Sequence, residues 1–194
     1  MKKLTIIIPT KNRYDWLKRA LNFYISNEIF FKIIVVDSSK KKIFNKNKNL
    51  VNSFKRDGVK ILYCSKKGTI EALNLALKHV DTKYTVTISD DDILIPSSLR
   101  VAIRLLEKNK RKKVVAVTGK GILISIKKGR PFGDIINFSD YKINSFSNSS
   151  SKERIKKYLK DLTNVEFSVM KTSDFKSTND FINSLPYYYK TFFF

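Results

Sequence analysis

Apolar runs and turn-forming clusters alternate along the first hundred residues of the chain. Leu4–Ile8 is a continuous run rich in β-branched residues, the pattern of a strand covered on both faces. It breaks at Pro9-Thr10-Lys11-Asn12-Arg13. From about Tyr14 the apolar positions recur at three and four residues (Trp16, Leu17, Ala20, Leu21, Tyr24, Ile25), which predicts an amphipathic helix. Lys32–Asp37 is a second buried strand, and Val59–Cys64 is a third strand, entered through the turn at Asp57-Gly58. Ser38 to Asn49 between them is polar and lysine-rich, with Ile43 and Phe44 as its only apolar anchors. It reads as a loop with a short helix, continuing to Phe54. Gly68-Thr69-Ile70-Glu71 opens a helix with the stripe Ile70, Leu73, Leu77 and Val80; Thr69 is the expected N-cap, and Glu71 suits the first turn. Lys83–Ser89 is a fourth strand. Pro96 starts a helix that carries Leu99, Ile103 and Leu106 on one face.

The second half is less regular. Lys108–Lys113 is a basic break. Val114–Thr118 and Ile122–Ile126 read as two strands of a hairpin joined at Gly119-Lys120-Gly121. Asp134 to Ser151 is rich in Ser and Asn and reads as a long loop or lid. Lys152–Leu162 is a short basic helix, Glu166–Met170 a short strand, and the end, Leu185 to Phe194, is apolar and aromatic. Exposed aromatic clusters promote association, so the expectation is a chain that stops within its fold. No internal repeat is visible.

Strands alternating with helices predict a doubly wound, mostly parallel α/β sheet. In such sheets ligands bind beyond the carboxyl ends of the strands. Four polar clusters fall there: Pro9–Arg13, Asp37-Ser38-Ser39, Ser65–Gly68 and Asp90-Asp91-Asp92. The last is an electrostatic oddity, because three adjacent carboxylates at a strand end repel one another. Two readings are open for it. One is a solvated acidic turn that caps the next helix; the other is a hard-oxygen cluster that holds Mg²⁺ or Mn²⁺.

Composition narrows the partners. The chain has 194 residues, 42% hydrophobic and 29% charged, which fits a globular chain with a core. Its formal net charge of +22 points to an acidic partner, namely nucleic acid, an anionic membrane surface or a phosphorylated substrate, unless a lysine-rich composition alone accounts for it. A single cysteine and no secretory signal make the cytoplasm the expected location. No stretch approaches the roughly 20 apolar residues that span a bilayer. His79 is the only histidine, which disfavours zinc, and Cys64 reads as a small buried hydrophobe. The chain contains no Gly-x-Gly-x-x-Gly, no phosphate loop and no Gly-x-Ser-x-Gly elbow, so dinucleotide, P-loop and serine-hydrolase chemistries are disfavoured. Basic residues are spread along the chain without a nucleic-acid module, which makes nucleic acid the weaker partner class. The Lys108–Lys113 run reads as a solvated loop or a contact with anionic lipid at the inner face of the membrane.

Together the four segments resemble the family-2 glycosyltransferases of GT-A fold. The first block, Ile6-Ile7-Ile8-Pro9-Thr10-Lys11-Asn12-Arg13, is similar to the family's strand followed by Pro-Thr-x-Asn-Arg. Ile33–Asp37 with Ser38 and Ser39 resembles its second strand. Gly68, Ala72 and Asn74 match its Gly-x-x-x-Ala-x-Asn helix, and Ser89–Asp92 with Pro96 its DXD region. The match covers residues 4–99. It implies a GT-A sheet with a nucleotide-sugar-binding half at 1–110 and a partial acceptor-binding half at 111–194.

The resemblance also implies an activity: metal-dependent, inverting transfer of a sugar from a nucleotide-sugar donor to a glycan or lipid-linked acceptor of cell-surface polysaccharide. By position Asp91 matches the metal ligand, Asp92 binds metal directly or through water, and Asp90 contacts the ribose or assists with the metal. Asp37 matches a contact to base or ribose. Pro9 and Thr10 would lie beside the base, and Arg13 would reach phosphate or form a surface salt bridge. Ser38 stands where many members have a second acid, and Lys11 where some have an aromatic. The family's catalytic base is a downstream carboxylate. Glu166, Asp174 and Asp180 are the candidates within the chain, and a segment at or beyond Phe194 is preferred. Without that base the chain would be a catalytically silent nucleotide-binding relative.

Overall fold

The computed structural model describes residues 3–27, 31–54, 58–64, 68–109, 114–127, 131–141, 143–161 and 167–186. The first half contains β1 (Leu4–Thr10), α1 (Tyr14–Ser26), β2 (Lys32–Asp37), α2 (Lys41–Ser53), β3 (Val59–Tyr63), α3 (Thr69–Leu77), β4 (Tyr84–Thr87) and α4 (Pro96–Lys108). Then come β5 (Ala116–Val117), β6 (Gly121–Ile126), β7 (Ile135–Tyr141), α5 (Ser151–Asp161), β8 (Val169–Lys171) and α6 (Thr172–Ser184).

The main sheet has the order β3-β2-β1-β4-β8-β5. The first four strands are parallel, and β8 runs antiparallel to both β4 and β5. This is the GT-A α/β architecture expected from the sequence. The unbroken hydrophobicity of β1 follows from its central place. Leu4, Ile6 and Ile8 face a layer formed by α1, α2 and α4, with Leu17, Leu21, Tyr24, Val51, Leu99 and Leu106 among the buried contacts. Ile7 faces the opposite layer with Ile34, Val36 and the α3 residues Ala72, Leu73, Ala76 and Leu77. Each buried Leu or Ile contributes about 1.5–3 kcal/mol, against about 1 kcal/mol for a net hydrogen bond. Packing therefore fixes the strand, and its polar end is positioned as a result.

Several expectations change. α2 is a thirteen-residue helix rather than a loop with a short helix. Its inward positions are Phe44, Asn47 and Val51, and the buried polar Asn47 interrupts the apolar stripe that would have revealed it. The hairpin partners also differ. β5 pairs with β8, whereas β6 pairs with β7, which lies inside the stretch read as a loop or lid. Gly119-Lys120-Gly121 thus passes the chain between two sheets. The helix after Gly68 begins at Thr69, so Gly68 rather than Thr69 holds the N-cap position. α6 has no counterpart in the sequence reading. Three asparagines dock it on α3: Asn179 and Asn183 donate to Asn74 Oδ1 at 2.6 and 2.7 Å, and Asn74 donates to Asn183 Oδ1 at 3.0 Å. Most of Lys108–Lys113, together with Ser65–Lys67, Glu166 and Tyr187–Phe194, lies outside the described residues. Among the described residues no helix is long and apolar enough to cross a membrane.

Candidate functional site

The chain leaves β1 toward β2 on one side and later returns through β4 on the other. The reversal of strand order opens a crevice beyond the carboxyl ends of β1 and β4. The end of β1 with the loop that follows it, Pro9 to Arg13, lines it on one side, and the loop from Ile88 to Ile95 on the other. Pro9 tolerates its central strand because alternation along β1 points its missing N–H toward β4, whose pairing has already ended at Ile7 and Thr87. Asn12 has φ 58°, the left-handed conformation that asparagine accepts more readily than most residues.

That turn joins the first loop to the one after β2. Asn12 N donates to Ser39 Oγ at 2.7 Å, Lys40 N donates to Asn12 Oδ1 at 3.0 Å, and Ser38 N donates to Thr10 O at 3.0 Å. Asp37 lies behind the join, 0% exposed. Its carboxylate accepts from Ser39 N at 2.8 Å and Asn47 Nδ2 at 2.7 Å. Asp37 therefore shapes the rim from within, and Ser39 and Asn12 carry its effect outward.

The three aspartates separate into three environments. Asp90 is buried, accepting from Thr10 Oγ1 at 2.6 Å and pairing with Arg13 at 3.2 Å. Burial raises its carboxyl pKa above the ordinary value, and the charge of Asp91 adds to this against the opposing pull of Thr10 and Arg13. Asp91 is partly exposed, with Oδ2 paired to Arg13 Nη2 at 2.8 Å and its backbone carbonyl accepting from Arg19 Nη2. Asp92 is exposed at the rim, and desolvation by nearby protein together with the Asp91 charge raises its carboxyl pKa. Leu94 N donates to the buried Tyr24 hydroxyl at 3.0 Å, which pins the far side of the loop to α1. Burial pushes that phenol pKa up to about 12.

Two arginines answer the acidic charge, and Arg19 and Trp16 are site residues that sequence reasoning missed. The guanidiniums of Arg13 and Arg19 both lie over the Trp16 ring, 5.1 and 4.6 Å from its centre. Trp16 lies in the first turn of α1 and Arg19 in the second, a signal open to any reading that asks which residues of α1 face the strand ends. Among the described residues no group of three His, Cys, Asp or Glu side chains is placed to hold a metal by itself. The free oxygens, Asp91 Oδ1 and the Asp92 carboxylate, are hard donors that suit a cation completed by phosphate oxygens.

Of the candidate bases, Glu166 lies outside the described residues and Asp174 does not join this site. β8 runs back along β4, and Thr172 N donates to Lys83 O at 2.9 Å at the amino end of that strand. Asp174, two residues later, lies at the end of the sheet away from the aspartates. Asp180 is exposed further along α6.

Residues 5–164 match the family model for Glycosyl transferase family 2, well over half of the 194 residues. The chain belongs to that family. An uncharacterized glycosyltransferase of Rickettsia felis is 27% identical over 108 residues, covering 55% of this chain and 18% of that protein. One from Rickettsia typhi is 29% identical over 119 residues, covering 60% and 36%. The chain thus spans between about a fifth and a third of the length of these curated relatives. Two solved structures share the fold. The mannosyltransferase PcManGT of Pyrobaculum calidifontis, in complex with GDP-Man and Mn²⁺, gives a TM-score of 0.51 at 22% identity over 60% of this chain and 34% of that one. S. aureus TarS 1-349 gives 0.55 at 18% identity over 91% and 49%.

Proposed function

We propose that this family-2 chain binds a nucleoside-diphosphate sugar in the crevice between β1 and β4 and supports transfer of the sugar, with inversion, to a glycan or lipid-linked acceptor. The observation that carries the reading is the convergence of Thr10, Arg13, Asp90, Asp91 and Asp92 at the point where strand order reverses. Relatives of the fold whose names include GDP-Man with Mn²⁺ or UDP-GlcNAc support the choice of donor class.

In this reading Pro9 and Thr10 flank the base, and the Asp37–Ser39–Asn12 network fixes the wall behind it. Arg13 faces the diphosphate. Asp91 and Asp92 would hold a Mn²⁺ or Mg²⁺ ion, with Asp90 behind them. When bound, that ion neutralises the charge that grows on the leaving diphosphate. The sugar carbon exchanges its bond to the diphosphate oxygen for one to the acceptor oxygen, and the acceptor proton passes to a base. Asp174 lies at the far end of the sheet from the aspartates, out of reach of that proton. This favours a second reading, in which the 194 residues bind donor without completing transfer. Contact of the Lys108–Lys113 run with an anionic membrane belongs to the same proposal, and sedimentation with anionic vesicles tests it.

Calorimetry with a panel of nucleoside diphosphates, with and without Mn²⁺, tests the donor site. Metal-dependent binding of at least one is expected, and Asp91→Ala is expected to remove the metal-dependent increment, about 100-fold for a charged ligand worth about 3 kcal/mol. No metal-dependent binding of any diphosphate would overturn both readings. Binding without donor hydrolysis or transfer would select the second.

A further inference from the structure

Arg13 and Arg19 approach the same aspartates in different ways. Arg19 donates to the backbone carbonyl of Asp91 and leaves the carboxylates free. Arg13 bridges two carboxylates, Nη1 toward Asp90 Oδ1 at 3.2 Å and Nη2 toward Asp91 Oδ2 at 2.8 Å. With Thr10 on the other Asp90 oxygen, both oxygens of that side chain are engaged. Arg13 also sits at the N-cap position of α1 without a side-chain capping bond. A cation there opposes the helix dipole, at a cost of about 0.3–1 kcal/mol. The stability of α1 therefore does not explain the residue, whereas the aspartates do. Its side chain is 39% exposed, so the guanidinium can leave the aspartates without breaking the core.

We infer that Arg13 is a counter-ion shared between the aspartates and the donor: it occupies Asp90 and Asp91 in the free protein and turns to the diphosphate when a nucleotide arrives. This rests on the donor-site reading above. A guanidinium against Asp91 takes one of its oxygens and repels a second cation. A diphosphate offers the same guanidinium a doubly charged, bidentate partner. When Arg13 moves, Asp91 regains both oxygens beside Asp92, and the rim becomes a site for a hard divalent cation. Cation and diphosphate then favour one another's binding by the same factor, as linkage requires. Arg13 is a donor-binding residue in this scheme, with Trp16 as the surface on which its guanidinium rests in the free protein.

The test is Mn²⁺ binding to the whole chain, followed by electron paramagnetic resonance of free Mn²⁺, in the absence and presence of each nucleoside diphosphate. The original protein is expected to bind Mn²⁺ weakly alone and at least about tenfold more tightly with the preferred diphosphate. Arg13→Gln is expected to bind Mn²⁺ alone about tenfold more tightly than the original protein and to bind the diphosphate about tenfold more weakly in metal-free buffer. Should Arg13→Gln fail to fold by circular dichroism, Arg13→Lys decides, because a single ammonium cannot bridge two carboxylates as a fork does; a rise of about threefold is expected. Equal Mn²⁺ affinity without nucleotide in the original protein and the folded variant would overturn the inference, while Mn²⁺-dependent diphosphate binding would leave the donor site standing. Absence of that binding from the original protein would overturn both.

Discussion

Two regions of this chain carry isoleucine-rich strands and use them in opposite ways. In β1, Ile6, Ile7 and Ile8 are 0% exposed, because helices cover both faces of the sheet. In the β6–β7 hairpin, Ile122 is 63%, Ile124 55% and Phe138 74% exposed. Among the described residues between 107 and 167, none is buried. Strand formation therefore needs only backbone pairing and β-branched side chains, whereas a core needs a second layer. The site follows the core. Its loops spring from strands that packing has fixed on both faces, so two charged clusters far apart in sequence meet within hydrogen-bonding distance.

The largest expected effect tests that contrast directly. Ile8→Ala should cost about 2–5 kcal/mol in urea unfolding, while Ile124→Ala should change stability by less than about 0.5 kcal/mol. Equal costs would mean that the hairpin has a covering layer in solution. A smaller effect sharpens the link between packing and site. Asp37→Asn puts an amide NH₂ opposite one of two buried donors, Ser39 N or Asn47 Nδ2. It should lower stability by about 1–3 kcal/mol. An unchanged unfolding midpoint would show that the wall between the first two loops does not depend on that carboxylate.

The smallest effect is a pH dependence. The carboxyl of Asp90 is raised above its ordinary value of 3.8, chiefly by burial. The native state then holds that proton more tightly than the unfolded chain does. Its stabilising contribution is full below 3.8 and declines as pH rises through the raised native value. Exposed Asp81 has the opposite sign. Its carboxyl is lowered by the hydrogen bond from Lys32, so its contribution is present above 3.8 and lost as pH falls through the lowered value. Urea unfolding of the original protein and Asp90→Asn across the acid range isolates the first contribution. If Asp90→Asn leaves the slope of stability against pH unaltered, Asp90 is not held in the desolvated state described.

Much of this architecture was legible in the residue pattern. β1, β2, β4 and the helices α1, α3 and α4 were visible because each buries apolar residues in a run or stripe, and β3 because its half-buried run Val59–Tyr63 is short, apolar and bounded by a turn. α2 was hidden by Asn47, a polar residue whose burial makes sense only once Asp37 lies opposite it. β7 does alternate, with Ile136 and Phe138 against Asn137 and Ser139, but the surrounding serines and asparagines masked the alternation. β5 took β8 as its partner, a long-range choice that local spacing could not reveal. The same holds in the site. Thr10, Arg13, Asp37 and the aspartates were readable as polar residues at strand ends. That Asp37 faces inward, and that Arg19 and Trp16 join the aspartates, depends on the register of α1 against β4.

The place of β8 has a consequence for where this chain can be shortened. The family match ends at residue 164, whereas β8 begins at Val169. A version cut at the end of the matched stretch would keep every residue of the candidate site. It would also strip β4 of the neighbour opposite β1. An open edge of unpaired N–H and C=O groups would then lie at the amino end of β4, the strand that leads into the three aspartates, ready to recruit a strand from another molecule. The three residues of β8 thus cover that edge, and a shortened version that keeps β4 paired on both sides has to extend past Lys171.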